Sequence, residues 1–451
     1  MGKLFGTDGI RGIVGENLTA ELAYRVGQAV TMVLFEENGK APLITIGMDT
    51  RISSDMLESA MIAGITSVGG NVMPLGTMPT PAVAYLTVLV EADAGIVISA
   101  SHNPFQHNGI KVFNGEGYKL SDELENRVEE KILSDEAMPT KCGAEIGKRI
   151  RDTKQLKNEY IKYLAESIDV DLAGLRVLID CANGAAAATA PDLFANFAIE
   201  ADFIHRKPNG ININDRCGST HLKSLAAMVT AGEYDLGIAF DGDADRCLLV
   251  DERGEIIDGD KVMAVCGLYM LEQGTLTGRA IVGTVMSNLG LHEFCNKNNI
   301  RLICTSVGDR NVLEKMKEHG YRIGGEQSGH TIFTDYATTG EGQLTALQFL
   351  RILSRSGKKA SELASVCPSY PQTLINVQLE NKAGIKDAVM NSEELRVAVE
   401  KEEALLGGEG RILVRPSGTE PLIRVMVEAK TTELADESAQ RVVDVIRALK
   451  M

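Results

Sequence analysis

Residues 42–69 read PLITIGMDTRISSDMLESAMIAGITSVG, and they carry one structural unit. The first eight, PLITIGMD, form a short apolar run, rich in isoleucine and threonine, that stops at a carboxylate. Length and composition predict a buried strand. After Thr50-Arg51-Ile52, the seventeen residues SSDMLESAMIAGITSVG have the pattern of a helix. Pairs of this kind recur. Further strands are predicted at AGIVISA, LRVLIDC, DLGIAFD, AIVGTV, RLICTSVG and YRIGG, with helices at LKSLAAMVTAG and RNVLEKMKEHG. Alternation of this kind predicts α/β layers with buried, mainly parallel strands. In such sheets ligand loops sit at the carboxyl ends of the strands.

The last eighty or so residues differ. TLINVQLE, RILVRPSG and LIRVMVEAK read as strands, with helices between Asp387 and Leu406 and from Thr432 onward, which predicts a separate α+β module. Breaks are expected near residue 150, after KCGAEIGKRIRDTK, near 255, and near 370, after the proline-bearing SVCPSYPQ. The expected domains are 1–150, 151–255, 256–370 and 371–451.

The 451 residues are 44% hydrophobic, enough for real cores. Asp plus Glu number 62 against 46 Lys plus Arg, a formal charge of −16. Such a surface repels nucleic acid and anionic membrane, so neither is an expected partner. MGKLFGTDGIRG lacks the apolar core of a signal peptide, and PAVAYLTVLVEADAGIVISA is broken by Glu91 and Asp93. The 8 cysteines include no C-x-x-C pair and read as reduced core residues. A soluble cytoplasmic protein is expected.

Four polar loops carry the chemistry. In Ser99-Ala100-Ser101-His102-Asn103-Pro104, Ser101 is a candidate nucleophile or phosphate carrier, with His102 or Lys111 to move a proton. A turn after a strand is the plain alternative. In DGDADR, Asp241, Asp243 and Asp245 alternate with small spacers, which lets three carboxylates converge on Mg²⁺. An EF-hand is excluded, because Arg246 stands where that loop needs glycine and the flanks read as strands. In GGEQSGH, Glu326 and Ser328 can bind sugar hydroxyls, and His330 can titrate near neutrality. In RPSGTEPLIR, Arg415, Ser417, Gly418, Thr419 and Arg424 supply the parts of a phosphate cradle. Arg11 in GTDGIRG and Arg310 in SVGDRN are further cationic candidates. A phosphoryl carrier, a Mg²⁺ site, a hydroxyl reader and a phosphate dock together make the set that phosphoryl transfer needs.

The ordered motifs GTDGIRG, ASHNP, DGDADR, GEQSGH and RPSGTEPLIRV resemble the α-D-phosphohexomutase superfamily from end to end. GEQSGH and NGININDRCGSTH (residues 209–221) resemble its glucosamine-phosphate type; His107 departs from the acidic residue more usual before Asn-Gly. The resemblance implies three mixed α/β domains with mainly parallel sheets and a C-terminal α+β domain around a central cleft. It implies that Ser101 is the phosphoserine, that Asp241, Asp243 and Asp245 bind Mg²⁺ with a phosphoserine oxygen, and that a sugar 1,6-bisphosphate is both intermediate and primer. It further implies a product feeding UDP-N-acetylglucosamine synthesis, a homodimer, and activation by a kinase or by self-phosphorylation. Glu326, Ser328 and Arg310 would hold substrate. Arg415, Ser417, Gly418, Thr419 and Arg424 would grip the unreacting phosphate. His102, Lys111, Arg11 and His330 would serve the transfer. Alternatives are a mutase for glucose or mannose phosphates, a Mg²⁺-dependent phosphatase, and a non-catalytic sugar-phosphate sensor.

Overall fold

The computed structural model describes residues 4–6, 8–134, 136–380, 384–417 and 421–449. The chain divides into two compact units, residues 1–286 with 299–366, and residues 287–298 with 367–451.

In the first unit, PLITIGMD and its sequel form the strand Leu43–Met48 and the helix Ser54–Ser67. The strand has a parallel neighbour on each side, Asn71–Thr77 and Ala94–Ile98. His107–Asn114 then returns antiparallel to Ala94–Ile98, and Ile10–Ile13 closes that edge. A second sheet repeats the plan. Arg176–Asp180 lies parallel between Glu200–Ile204 and Leu236–Phe240, and Cys247–Asp251 and Ile256–Ile257 follow antiparallel. A third sheet sets Ala280–Thr284 between Arg301–Thr305 and Ile323–Gly325 in parallel, with Thr331–Phe333 antiparallel. The strand–loop–helix cadence of the sequence is one topology used three times.

Each sheet is parallel at its centre, as expected, but carries an antiparallel edge. The cause is loop length. Residues 99–106, 241–246 and 326–330 are too few for a crossover helix, so the chain must turn back on itself. These three equivalent hairpin loops are the three polar loops singled out above. Ala94–Ile98, Leu236–Phe240 and Ile323–Gly325, which lead into them, are buried along their whole length. The loops therefore start from strands covered on both faces.

The second unit is the expected α+β module. Leu422–Glu428 is the middle of a three-stranded antiparallel sheet, between Gln372–Gln378 and Arg411–Pro416. Leu395 and Leu406 of the helix Glu393–Leu406, with Ala439, Val442 and Ile446 of Thr432–Ala448, pack on Val425 and Val427. Among the described residues no helix is long and apolar enough to cross a membrane. Six of the eight cysteines are buried; Cys142 and Cys304 are exposed.

One buried carboxyl in the first unit makes stability depend on pH. Glu341 caps the helix Gly342–Ser356, accepts the N–H groups of Gln343 and Leu344, and takes the Tyr160 hydroxyl at 2.9 Å. Burial raises its pKa from 4.5 to about 7, against those donors. The folded protein thus holds this proton more tightly than the unfolded chain. Its stabilising contribution is complete below pH 4.5 and is lost as pH rises to about 7, roughly 3 kcal/mol in all. Melting temperatures measured from pH 5 to 8 should fall more steeply for the parent than for Glu341→Gln. Parallel slopes would show that Glu341 does not titrate in that range.

Candidate active site

The serine loop is held from beneath. Ser101 is buried and adopts φ +52°, a left-handed conformation unusual for serine. Its backbone N–H donates to Ser99 Oγ at 2.9 Å, and Ser99 donates to Asp49 Oδ2 at 2.7 Å. Ser99 is strand-end structure, as the sequence suggests. Asp49 also pairs with Arg51 Nε at 2.8 Å in a fully buried ion pair. The Arg51 guanidinium then donates to the carbonyls of Ser101 at 2.9 Å, Asn103 at 2.8 Å and His107 at 3.0 Å. His107 thus contributes through its backbone.

Ser101 Oγ points at the acidic loop and donates to Asp241 Oδ2 at 2.6 Å. His102 Nδ1 lies 3.3 Å from the same oxygen. The approach requires Gly242, where a Cβ would stand 2.5 Å from the Ser101 carbonyl oxygen. Asp241, Asp243 and Asp245 are all buried, and one oxygen from each lies within 4.8 Å of the others. Thr80 Oγ1 donates to Asp243 Oδ2 at 2.6 Å. Lys111 Nζ stands 3.0 Å from Asp243, 3.4 Å from Asp245 and 3.1 Å from Asp8.

This cluster is short of positive charge. Asp243 Oδ1 and Asp245 Oδ1 are buried without a hydrogen-bond partner among the described residues. Burial, then repulsion from Asp245 and Asp243, holds the Asp241 pKa well above the carboxylate range. Asp243 goes the other way. Burial opposes its ionisation, but Lys111 and Thr80 outweigh it and lower its pKa. Orphaned hard oxygens beside a carboxylate that resists ionisation form a donor set that fits a small divalent cation.

The proton-transfer candidates divide by charge. Burial, followed by Arg246 and Arg11, lowers the His102 pKa to about 4, so His102 is neutral at pH 7 and can accept a proton. Lys111 is 2% exposed; burial works against its charge, but Asp243, Asp8 and Asp245 raise its pKa well above normal. It remains an ammonium. Arg11 pairs with Asp8. Asp8 also meets Lys119 at 2.6 Å, Lys119 meets Asp309 at 2.6 Å, and Asp309 Oδ2 lies 3.6 Å from His330 Nε2. An alternating row of charges therefore links the acidic triad to His330.

In the third loop Glu326 Oε1 accepts the Gly308 N–H at 3.0 Å, and Ser328 is exposed. The Cys247 N–H, at the start of the strand after the acidic loop, donates to the Gly329 carbonyl at 3.0 Å, so these two loops are latched together. Arg310 is occupied elsewhere. It pairs with Asp122 and, at 2.8 Å, with Glu125, and it donates to the Leu120 carbonyl. Its guanidinium secures the helix Asp122–Leu133 rather than standing open for substrate.

In the second unit Arg415 and Arg424 sit directly opposite one another on adjacent antiparallel strands. Burial and the neighbouring Arg424 lower the Arg415 pKa, and Arg415 Nε is buried without a hydrogen-bond partner among the described residues. Like charges facing across a ladder are unfavourable, and an anion relieves them. Ser417 is buried beside this pair; Gly418 and Thr419 lie outside the described residues.

The structure adds residues that the sequence reading did not single out, namely Asp8, Asp49, Arg51, Thr80, Lys119 and Asp309. Asp49 had a readable signal, a carboxylate ending a buried strand. Asp8 and Asp309 lay inside motifs read only for their arginines.

Comparison with known proteins agrees with the fold. Sequence profiles of phosphoglucomutase/phosphomannomutase α/β/α domain I match residues 2–138, of domain II residues 158–254, of domain III residues 258–370, and of the C-terminal domain residues 374–445. The chain belongs to the phosphoglucomutase/phosphomannomutase family of phosphohexomutases. Within that class it falls among the phosphoglucosamine mutases. It is 49% identical to the enzyme of that name from Clostridium novyi over 447 residues, 99% of each chain. It is 48% identical over 448 residues to that of Halalkalibacterium halodurans, again covering 99% of each. The fold is shared with a phosphoglucomutase/phosphomannomutase family protein from Burkholderia thailandensis, at TM-score 0.82 and 23% identity over 99% of this chain and 97% of that one. It is also shared with Aspergillus fumigatus N-acetylphosphoglucosamine mutase in complex with GlcNAc-6P and magnesium, at TM-score 0.71 and 17% identity over 99% and 96%.

Proposed function

We propose that the chain interconverts glucosamine 6-phosphate and glucosamine 1-phosphate through a phosphorylated Ser101 and glucosamine 1,6-bisphosphate. The observation that carries this reading is Ser101 Oγ at 2.6 Å from Asp241, within a converging carboxylate triad. The names of the relatives support the amino-sugar substrate.

In the forward direction phospho-Ser101 gives its phosphoryl group to the free hydroxyl of the bound monophosphate. The resulting bisphosphate turns over, and Ser101 takes the other phosphoryl group. His102, neutral and 3.3 Å from Oγ, is placed to accept the proton that Ser101 loses when it is rephosphorylated. Lys111 and Arg11, both cationic, offset charge on the transferring group. His330, backed by Asp309, is the proton-transfer candidate on the sugar side. Glu326 and Ser328 would hold ring hydroxyls. Arg415, Ser417, Gly418, Thr419 and Arg424 would grip the unreacting phosphate. Arg310 would contribute indirectly, through the helix it anchors.

Asp241, Asp243, Asp245 and the phosphoserine would hold Mg²⁺, which when bound supplies charge neutralisation at the transferring phosphoryl group. Magnesium in the fungal relative's structure supports that choice of ion. Chelation with EDTA should abolish turnover, and added Mg²⁺ should restore it; activity indifferent to both would remove the metal from the scheme. A homodimer, cytoplasmic residence, and priming of Ser101 by a kinase, by self-phosphorylation or by a bisphosphate belong to the same reading.

The reading is tested by comparing kcat/KM for glucosamine, glucose and mannose 6-phosphates on one preparation, primed with bisphosphate. Preference for the amino sugar is expected. Equal or better turnover of glucose or mannose phosphate would assign another branch of the family.

A further inference from the structure

The stretch Asn209–Asn214 has no part in the chemistry above, yet it reaches the reacting serine. Within the first unit it leaves the second sheet's domain and lies against the segment Asp49–Ile52 of the first. Gly210, at φ +91°, offers its carbonyl to the Ile52 N–H at 2.8 Å. Thr50 Oγ1 donates to the Asn183 carbonyl at 2.6 Å, a second tie across the same seam. Asn183 Nδ2 in turn donates to the Asn212 carbonyl at 3.2 Å. The base of the loop is pinned as well. The Asn214 N–H donates to the Ala182 carbonyl at 2.9 Å, and the Gly218 N–H donates to Asp180 Oδ2 at 2.9 Å. Ile213, buried, packs the loop from within.

What the loop delivers is one amide. Asn214 is itself buried and held at φ +57°, and its Nδ2 donates to the Ser101 carbonyl at 2.9 Å and the Asn103 carbonyl at 3.1 Å. These are two of the carbonyls that Arg51 holds from the other side. Ser101 sits in a strained left-handed conformation, and such strain persists only where the surroundings over-determine it. Arg51 fixes the loop from its own domain. Asn214 fixes it from the domain that carries Asp241, so the position of Ser101 Oγ is set relative to the acid triad rather than to its own sheet alone.

We infer that Asn214 is a positioning residue for phosphoryl transfer, holding the Ser101 and Asn103 carbonyls so that Ser101 Oγ faces Asp241, Asp243 and Asp245. The inference rests on the phosphoserine reading above. Because Asn214 Nδ2 bonds the Ser101 and Asn103 carbonyls and not the reacting oxygen, its loss should appear in kcat and not in substrate affinity.

The test compares Asn214→Ala with Thr50→Val, which removes a tie across the same seam without touching the serine loop. Steady-state constants for glucosamine 6-phosphate, melting temperature, and single-turnover transfer from isotopically labelled phospho-Ser101 are measured on each full-length protein. For Asn214→Ala, kcat and single-turnover transfer should drop about ten- to a hundredfold while KM stays within about twofold. Thr50→Val should keep the parent kcat. If Asn214→Ala does not fold, Asn214→Ser, too short to reach both carbonyls, gives the same readout. Parent-like transfer by the Asn214 variant, or an equal loss in Thr50→Val, would overturn the positioning role. Should the parent's own phospho-Ser101 fail to label any sugar phosphate, the phosphoserine reading falls, and the inference falls with it.

Discussion

Replacing Ser101 by alanine should abolish mutase turnover, with a loss on the order of 10⁴-fold or more, since alanine has no oxygen to carry the phosphoryl group. The fold should survive. Ser101 Oγ makes its contacts with Asp241 and His102, whereas the loop is held through backbone atoms by Arg51, Asn214 and Ser99. Removing the hydroxyl leaves those bonds in place. Mutase assays with Mg²⁺ and a bisphosphate primer, beside a melting curve, separate the two effects. Turnover near the parent's would end the phosphoserine role, whatever the melting temperature.

Lys111→Met should cost both activity and stability. Lys111 lies between Asp243, Asp245 and Asp8 and is almost fully buried. Methionine keeps most of the volume and removes the charge, taking the lysine from Asp243 and Asp245, while Asp8 keeps Arg11 and Lys119. Breaking a buried pair from one side typically costs 3–5 kcal/mol, and a loss of about that size is expected in metal-free protein. The same change strips a cation from the transferring phosphoryl group, so kcat should drop by roughly 10²- to 10⁴-fold. Divalent cations should restore stability to the variant more than to the parent, because its carboxylates have lost their internal partner. Denaturant titrations with and without Mg²⁺ check this. Unchanged stability together with unchanged kcat would show that Lys111 is neither counter-ion nor participant.

Much of the fold was legible because the signals were local. Leu43–Met48, Ala94–Ile98 and Leu236–Phe240 are short apolar runs bounded by polar loops, and strands buried on both faces look like that in any context. The edge strands were less visible. Glu200–Ile204 is half exposed and mixed in character, and Ile10–Ile13 is four residues inside a glycine-rich motif. The strand–loop–helix cadence was legible, and the resemblance implied three α/β domains; the shared strand order was not, since pairing sets it and the three copies show no clear sequence repeat.

The site shows the same division. Ser101, Asp241, Asp243 and Asp245 announce themselves by residue type at strand ends. Their supports do not. Arg51 acts through the carbonyls of Ser101, Asn103, Pro104 and His107, Asn214 through two, and Lys119 by bridging Asp8 and Asp309, all pairings between residues far apart in the chain. Arg310 shows another side of this: the loop marks it as a cationic candidate, and its pairing with Asp122 and Glu125 is a long-range contact that the sequence does not display.

Under the proposed function Ser101 passes its phosphoryl group to a sugar phosphate and recovers one from it. The direct measurement is the fate of isotopically labelled phosphate on Ser101 after a single turnover with glucosamine 6-phosphate and Mg²⁺. The label should appear in glucosamine 1,6-bisphosphate and in glucosamine monophosphate, while intact mass shows the enzyme still phosphorylated. Label released as inorganic phosphate, with the enzyme left dephosphorylated and no isomerised sugar formed, would contradict the claim and make the protein a phosphatase.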